Sequence, residues 1–278
     1  MRRGFLALLE IIRPHNMLAA GLGVVAGYYV AAGTASARVM VVALVAALAT
    51  GAGNVINDYY DFAIDRVNKP RRPLPSGRLS PRAARVWYAV LVVATTLLAA
   101  IALPQPLLVL ALVWQLALFA YARVLKRTWI AGNVTVALVS ASAFLAGAMA
   151  ADWPGAAVIP MAIAFAFVMC REMIKGGEDL EGDRDAGVRT LAVVSGPERA
   201  ARVAAGAMLL LAVLVPLPAL AGLYGLRYFL AMEVLVAPVL ILGALAVVRR
   251  PERRVFGRVS RALKLAMFAG ILAIALGV

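Results

Sequence analysis

Long stretches of apolar residues, separated by short charged loops, dominate the chain. A helix needs about 20 such residues to cross the hydrocarbon core of a bilayer. Nine stretches reach that length: 16–35, 39–61, 82–103, 105–123, 129–151, 155–176, 198–221, 228–248 and 259–277. Hydrophobic residues make up 64% of the 278, more than one water-soluble core can hide, so lipid is the expected solvent for most of the surface. The fold class that follows is an all-α polytopic membrane protein, a bundle of nine transmembrane helices. Loops this short leave no room for a second domain, so residues 1–278 are read as a single transmembrane domain.

Ahead of the first stretch, Arg2 and Arg3 could open a signal peptide. The apolar run from Phe5 to Leu9 is too short for one, and Glu10, Arg13 and Pro14 interrupt it. An amphipathic helix lying at the membrane interface fits better. A lone cysteine, Cys170, excludes a disulfide within the chain.

The formal charge of +14 would suit a nucleic-acid partner if it were gathered on one face. It is distributed by topology instead. Of the 28 basic residues, all except Arg38 and Arg227 lie before the first stretch or beside the ends of the second, fourth, sixth and eighth. The positive-inside rule then puts the N-terminus and these loops in the cytoplasm and the C-terminus outside, in a multi-pass protein of the cell membrane. Most of these cations set orientation and meet anionic membrane lipids. No nucleic-acid partner is expected, and protein partners are not specified.

The carboxylates are concentrated more sharply. Nine of the 14 acidic residues fall in two short segments, at the ends of the second and sixth stretches, on the same membrane side. An Asp at the centre of a membrane helix costs about 2.5–3.5 kcal/mol, less toward its end, so intramembrane acids are functional candidates by default. In the first segment Asn54, Asp58, Asp61 and Asp65 follow the i, i+4, i+7, i+11 spacing of one helical stripe. Like charges so placed repel. A set of oxygen donors with no His or Cys suits a hard cation, Mg²⁺ rather than Zn²⁺. The second segment repeats the pattern with Glu172, Lys175, Asp179 and Asp183, where Gly176-Gly177 is expected to break the helix. Between them runs Arg66-Val-Asn68-Lys69-Pro70-Arg71-Arg72-Pro73-Leu74-Pro75-Ser76-Gly77-Arg78, whose three prolines fix a loop. Arg forks match phosphate oxygens, so carboxylates for a metal beside Arg and Lys describe a diphosphate site.

These residues resemble the UbiA superfamily of intramembrane prenyltransferases. Asn57-Asp58-Tyr59-Tyr60-Asp61-Phe62-Ala63-Ile64-Asp65 is similar to its first acidic motif, and Asn68 with Arg72-Pro73-Leu74-Pro75-Ser76-Gly77 to the segment that follows. The resemblance implies a helix bundle around a central cavity with cytoplasmic cap loops, Mg²⁺ as cofactor and a prenyl diphosphate donor. Carried over by position, Asn54, Asp58, Asp61, Asp65, Asp179 and Asp183 would hold metal and diphosphate. Asn57, Asn68, Arg72 and Lys126 would contact substrate. Tyr121, Lys126 and Asn133 resemble the connection between the fourth and fifth spans. The family's second motif often opens with an Asp where this chain has Gly176, which leaves Asp179 and Asp183 as the pair.

The run Arg171-Glu172-Met173-Ile174-Lys175, with Glu178-Asp179-Leu180-Glu181-Gly182-Asp183, leans toward the branch that transfers a geranylgeranyl group to geranylgeranylglyceryl phosphate in archaeal-type ether-lipid synthesis. In that reading Arg171 and Lys175 are spare cations for the acceptor phosphate; the alternative is that they only pair with Glu172, Glu178 or Asp179. The alternative acceptor is 4-hydroxybenzoate or another aromatic ring, as in quinone biosynthesis. A secondary transporter would set its charges near the midplane within internal repeats, which this sequence does not display.

Overall fold

In the computed structural model, which describes residues 2–34 and 36–277, every regular element is a helix. The short α1 (Arg2–Ile11) leads into α2 (Pro14–Ala32) and α3 (Ala37–Tyr60). A seven-residue α4 (Phe62–Asn68) follows, then α5 (Pro81–Ala102), α6 (Gln105–Arg123), α7 (Trp129–Ala150) and α8 (Val158–Glu178). Two short helices, α9 (Leu180–Asp185) and α10 (Leu191–Ser195), precede α11 (Pro197–Leu214) and α12 (Leu217–Leu220). The remaining chain forms α13 (Leu226–Ala231), a π-helical segment Met232–Val236, α14 (Ala237–Arg249) and α15 (Arg253–Leu276).

Eight helical segments among the described residues are long and apolar enough to cross a membrane. They correspond to the second through ninth expected stretches. The first expected stretch, 16–35, is the 19-residue helix α2, which is not among the eight. Its composition explains why. It opens on Pro14-His15-Asn16 and spends Gly23 and Gly27 on packing rather than on hydropathy. The expected outer terminus, Val278, lies outside the described residues.

Local signals start the helices where the chain requires them. The Ser80 hydroxyl accepts from the Ala83 N–H at 3.1 Å, and Pro81 stands at the first position of α5, where its missing N–H costs nothing. Thr190 caps α10 in the same manner. The Gly176-Gly177 pair does not break α8, contrary to expectation; the helix continues to Glu178. A Cβ on Gly177 would lie 2.6 Å from the fully buried Phe256 ring, so α15 packs where that glycine is bare.

Around the centre, α2 packs on α3 and α7, α7 on α8, α8 on α15, and α15 returns to α2. Closing this circle requires α2 and α7 to approach backbone to backbone. A Cβ on Gly147 would collide with the Val24 carbonyl, and one on Gly27 with the Phe144 carbonyl. Small residues at such crossings are how membrane helices gain contact without a hydrophobic drive. Gly147→Ala should therefore lower the Tm of the purified protein by overpacking, worth at least about 1–3 kcal/mol. Gly206→Ala in α11, where a Cβ meets nothing within 4 Å, should leave it unchanged or slightly raised. Equal Tm values for wild type and Gly147→Ala would contradict the close crossing.

Candidate active site at the mouth of the bundle

α3 carries Asn54, Asn57 and Asp58 in its last two turns and stops at Asp61, which has φ −83° and ψ 4°. The chain resumes as α4, so the expected single stripe through Asp65 is bent rather than continuous. Asp58, Asp61 and Asp65 are all buried. The following proline loop folds back on itself through Ser76 N–H to Arg72 carbonyl and Leu79 N–H to Pro73 carbonyl bonds, both 3.0 Å. Leu74 and Leu79 anchor it in an apolar cluster with Ala7 and Ile11 of α1. This anchoring turns Lys69 and Arg72 back over the acidic segment.

The second segment is the end of α8, then Asp179 at its cap and Asp183 in α9. Asn68 joins the two segments. Its Nδ2 donates to the Asp179 carbonyl at 2.9 Å, and its Oδ1 accepts from the Gly182 N–H at 3.2 Å. Gly182 has to be a glycine, because a Cβ there would occupy the space of the Asn68 amide. Thr128 and Arg189 form a lone β-bridge, with the Arg189 N–H donating to the Arg127 carbonyl at 3.1 Å, and so tie the connection after α6 to the loop after α9.

Asp58, Asp61 and Asp65 each pair with a cation, whereas Asp183, also buried, has no ion-pair partner among the described residues. Asp58 pairs with Arg13 and, at 3.2 Å, with Arg72, whose Nη1 also reaches Asp65 at 2.6 Å. Asp61 pairs with Lys126 and accepts from Asn57 Nδ2 at 2.8 Å. Lys69 bonds Asp179 at 2.7 Å. Arg13 itself adopts a left-handed backbone, φ 52°, at a typical cost of about 1–3 kcal/mol for a residue with a Cβ. The conformation directs it at Asp58 just before Pro14 starts α2. Asn54 Nδ2 donates to the Ile12 carbonyl at 2.9 Å and Asn54 Oδ1 accepts from Asn16, which fixes the same corner.

Burial opposes the charges of Arg72 and Lys126, but Asp58 and Asp65 around the first, and Asp61 beside the second, outweigh it and raise both above their ordinary values. Burial likewise opposes ionisation of Asp179, yet Lys69 and Lys175 hold that carboxyl below the usual range. Asp183 is different. Burial raises it to about 6 despite Lys126 and Lys175, with Asp179 and Asp61 adding to the rise. The two acids of the second segment thus differ in their hold on a proton.

Above these residues opens a cavity of about 560 Å³. Asn54, Asn57, Asp58, Lys69, Arg72, Tyr121, Arg171 and Lys175 line it near the mouth, and Ile163, Phe167, Met232, Ile271 and Ile274 line its apolar remainder. Asp179, Asp183, Lys126 and Asn133 line a small recess that shares Tyr121, Glu172 and Lys175 with it. Asp65 lies under Arg72 and lines neither. Arg171 and Lys175 are not spare in this arrangement: Glu172 accepts from Arg171 at 3.0 Å and Lys175 at 3.4 Å. Among the described residues no three His, Cys, Asp or Glu side chains gather as a ready chelate. Mg²⁺ does not demand one, since it takes one or two carboxylates and completes its shell with water and phosphate oxygens. The donor set is all oxygen, and Asn57 Oδ1 is a buried acceptor with no partner, so the residues present fit that ion.

The chain belongs to the UbiA prenyltransferase family, whose model matches residues 20–268. Among relatives, the digeranylgeranylglyceryl phosphate synthase of Methanopyrus kandleri is 38% identical over 267 residues, covering 96% of this chain and 97% of its own. The synthase of the same name from Natronomonas pharaonis is 42% identical over 227 residues, 81% of this chain and 82% of that one. A solved structure described as digeranylgeranylglyceryl phosphate synthase superposes with a TM-score of 0.73 at 29% identity, covering 100% of this chain and 99% of that one. A UbiA homolog from Archaeoglobus fulgidus bound to GPP and Mg²⁺ shares the fold, with a TM-score of 0.65 at 21% identity, over 96% and 99% of the two chains.

Lys69 and Arg253 are members of this site that spacing alone did not assign to partners. Arg253 bonds Glu181 at 2.6 Å and the Asn68 carbonyl at 3.2 Å, and so ties α15 to the cap. Arg72 is the cation that neutralises most here. Arg72→Met should lower Tm, because removing one partner of a buried pair costs about 3–5 kcal/mol. Added Mg²⁺ should then raise the Tm of this variant more than that of wild type, since Asp58 and Asp65 regain a cation. An equal Mg²⁺ response in both proteins would contradict the electrostatic reading.

Proposed function

We propose that the protein is a Mg²⁺-dependent intramembrane prenyltransferase that moves a geranylgeranyl group from its diphosphate to a hydroxyl of geranylgeranylglyceryl phosphate. The observation that carries this reading is the junction at Asn68 and Lys69, where two acidic segments meet over a cavity that is polar at its mouth and apolar beyond. Asp58, Asp61, Asp65, Asp179 and Asp183, with Asn54 and Asn57, are the oxygens that would hold Mg²⁺. Bound there, the ion would supply charge neutralisation for the leaving diphosphate.

The cations now occupied by these carboxylates (Lys69, Arg72 and Lys126) are the ones that would meet diphosphate oxygens. Preorganised donors aimed at developing charge are commonly the largest catalytic contribution, on the order of 3–4 kcal/mol each. The C1–O bond of the allylic donor breaks, and the diphosphate leaves with the bonding pair. The acceptor hydroxyl oxygen then forms the new bond to C1 and gives up its proton. The apolar walls, with Phe167 and Ile271 among them, keep water from competing for the cationic carbon. The relatives named above carry the acceptor assignment; the same site could present an aromatic ring to the same cation.

The reading also places the loops at 66–80 and 177–197 on the cytoplasmic side of a cell membrane, which accessibility labelling of a cysteine at Ser76 in Cys170-free protein examines. The decisive assay supplies geranylgeranyl diphosphate, Mg²⁺ and either acceptor to the purified protein, with products read by mass. The glycerophosphate acceptor should be alkylated in preference to 4-hydroxybenzoate, and Asp58→Ala should lose at least 100-fold in turnover, a loss of about 2.7 kcal/mol in transition-state stabilisation. Prenylation of the aromatic acid alone would assign the other branch, and near-wild-type turnover by folded Asp58→Ala would remove Asp58 from the chemistry.

A further inference from the structure

Helix α15 presents one continuous face to the cavity. Ser260, Arg261 and Lys264 come first, then Met267, Ile271 and Ile274, at intervals of three and four residues. The face is cationic toward the mouth and apolar beyond it. α8 repeats the gradient across the cavity, with Lys175 and Arg171 followed by Phe167 and Ile163. Two facing helices, graded the same way, match an amphiphile with an anionic head and a long hydrocarbon tail.

Lys264 stands at the twelfth residue of the 24-residue α15, about 16 Å of helix from Arg253. A lysine that far into a membrane helix is expensive unless something requires it there. Among the described residues neither Lys264 nor Arg261 has an ion-pair partner, and no hydrogen bond to the Lys264 ammonium is present. Its electrostatic neighbours are cations: Lys264 lies within range of Arg171 and Arg13, and His15 within range of all three. Arg171 has a buried Nε–H with no acceptor. The nearest compensation is sparse, and Glu10, which also lines the cavity, is paired with Arg78. Asp58 answers Arg13, Glu172 is shared by Arg171 and Lys175, and Glu178 lies further along α8 against Gly257. Lys264 without an ion pair and the unpartnered Arg171 Nε–H leave this cavity wall with donors and positive charge that favour an anion.

We propose that Lys264, with Arg171, His15 and Arg13 around it, forms a cradle for the phosphate of the glycerophosphate acceptor, separate from the residues that hold the donor diphosphate. This assignment deepens the proposed function and rests on it for the identity of the acceptor. Arg171 precedes Asp179 by eight residues, about 12 Å of helix, so the two anions draw on different cations. Arg13, which touches Asp58 on one side and faces the cradle on the other, brings the two sites into register. Lys264 is thus a positioning and specificity residue that the acidic motifs do not reveal.

The test uses full-length protein in phosphatidylcholine nanodiscs and two acceptors, geranylgeranylglyceryl phosphate and the same lipid without its phosphate. Binding of each is measured without donor, and transfer is measured with geranylgeranyl diphosphate and Mg²⁺. Wild type should bind the phosphorylated lipid at least tenfold more tightly than the dephosphorylated one. Lys264→Gln should erase most of that preference and raise the acceptor KM tenfold or more, with the donor KM and kcat within about twofold. Lys264→Arg should recover most of the loss and keep the wild-type Tm, and Lys264→Gln should keep or raise it, since it removes an unpaired cation. Equal loss for both acceptors, an unchanged acceptor KM, or displacement of the acceptor by phosphatidic acid at equal concentration would overturn the cradle, the last by making it a general headgroup site. Wild type that binds the phosphorylated lipid through Lys264 yet transfers nothing to it would overturn the proposed reaction and leave the cradle standing.

Discussion

The need to neutralise carboxylates buried at the ends of membrane helices governs the whole mouth of this bundle. Asp58, Asp61 and Asp65 are all withdrawn from solvent, and an uncompensated charge in that position is costly. The proline loop, the left-handed Arg13 and the connection after α6 each deliver a cation to one of them. The cap is therefore an electrostatic structure first. Its hydrogen bonds through Asn68 and its glycine contact at Gly182 set the distance at which the two acidic segments face one another. On the proposed function, substrate binding would be an exchange of partners, in which cations that hold carboxylates would turn to phosphate oxygens and a metal ion would take their place.

Much of this could be read from residue order. Apolar run length gave eight of the membrane-crossing segments directly, since helix length and hydropathy are local properties. The acidic stripe was visible because Asn54, Asp58 and Asp61 keep helical spacing within α3 and its cap. What remained hidden was pairing across long separations. Lys69 meets Asp179 and Lys126 meets Asp61 at 110 and 65 residues' distance, and no local pattern encodes either. Arg171 and Lys175 could be read either as spare cations or as partners of a nearby acid, and Glu172 between them is the partner. The glycine pair misled for a related reason. Gly177 is bare to admit Phe256 from a helix 79 residues later, not to end its own.

The cavity beyond the mouth is graded from polar to apolar. Polar groups cluster where α3, α8 and α15 approach the cap, while Phe167, Met232 and Ile274 close the far end. The close crossing of α2 on α7 keeps the wall beside His15 and Asn16 in place, so packing deep in the bundle fixes chemistry at its mouth.

The central claim is that both acidic segments act together on one metal–diphosphate unit. Mn²⁺ in place of Mg²⁺, with a non-reacting geranylgeranyl thiodiphosphate, allows this to be followed by electron paramagnetic resonance. Tight Mn²⁺ binding should appear only with the diphosphate present, and should be lost in Asp58→Asn and in Asp179→Asn alike. Mn²⁺ bound as tightly in either variant as in wild type would contradict the claim, because one segment would then suffice.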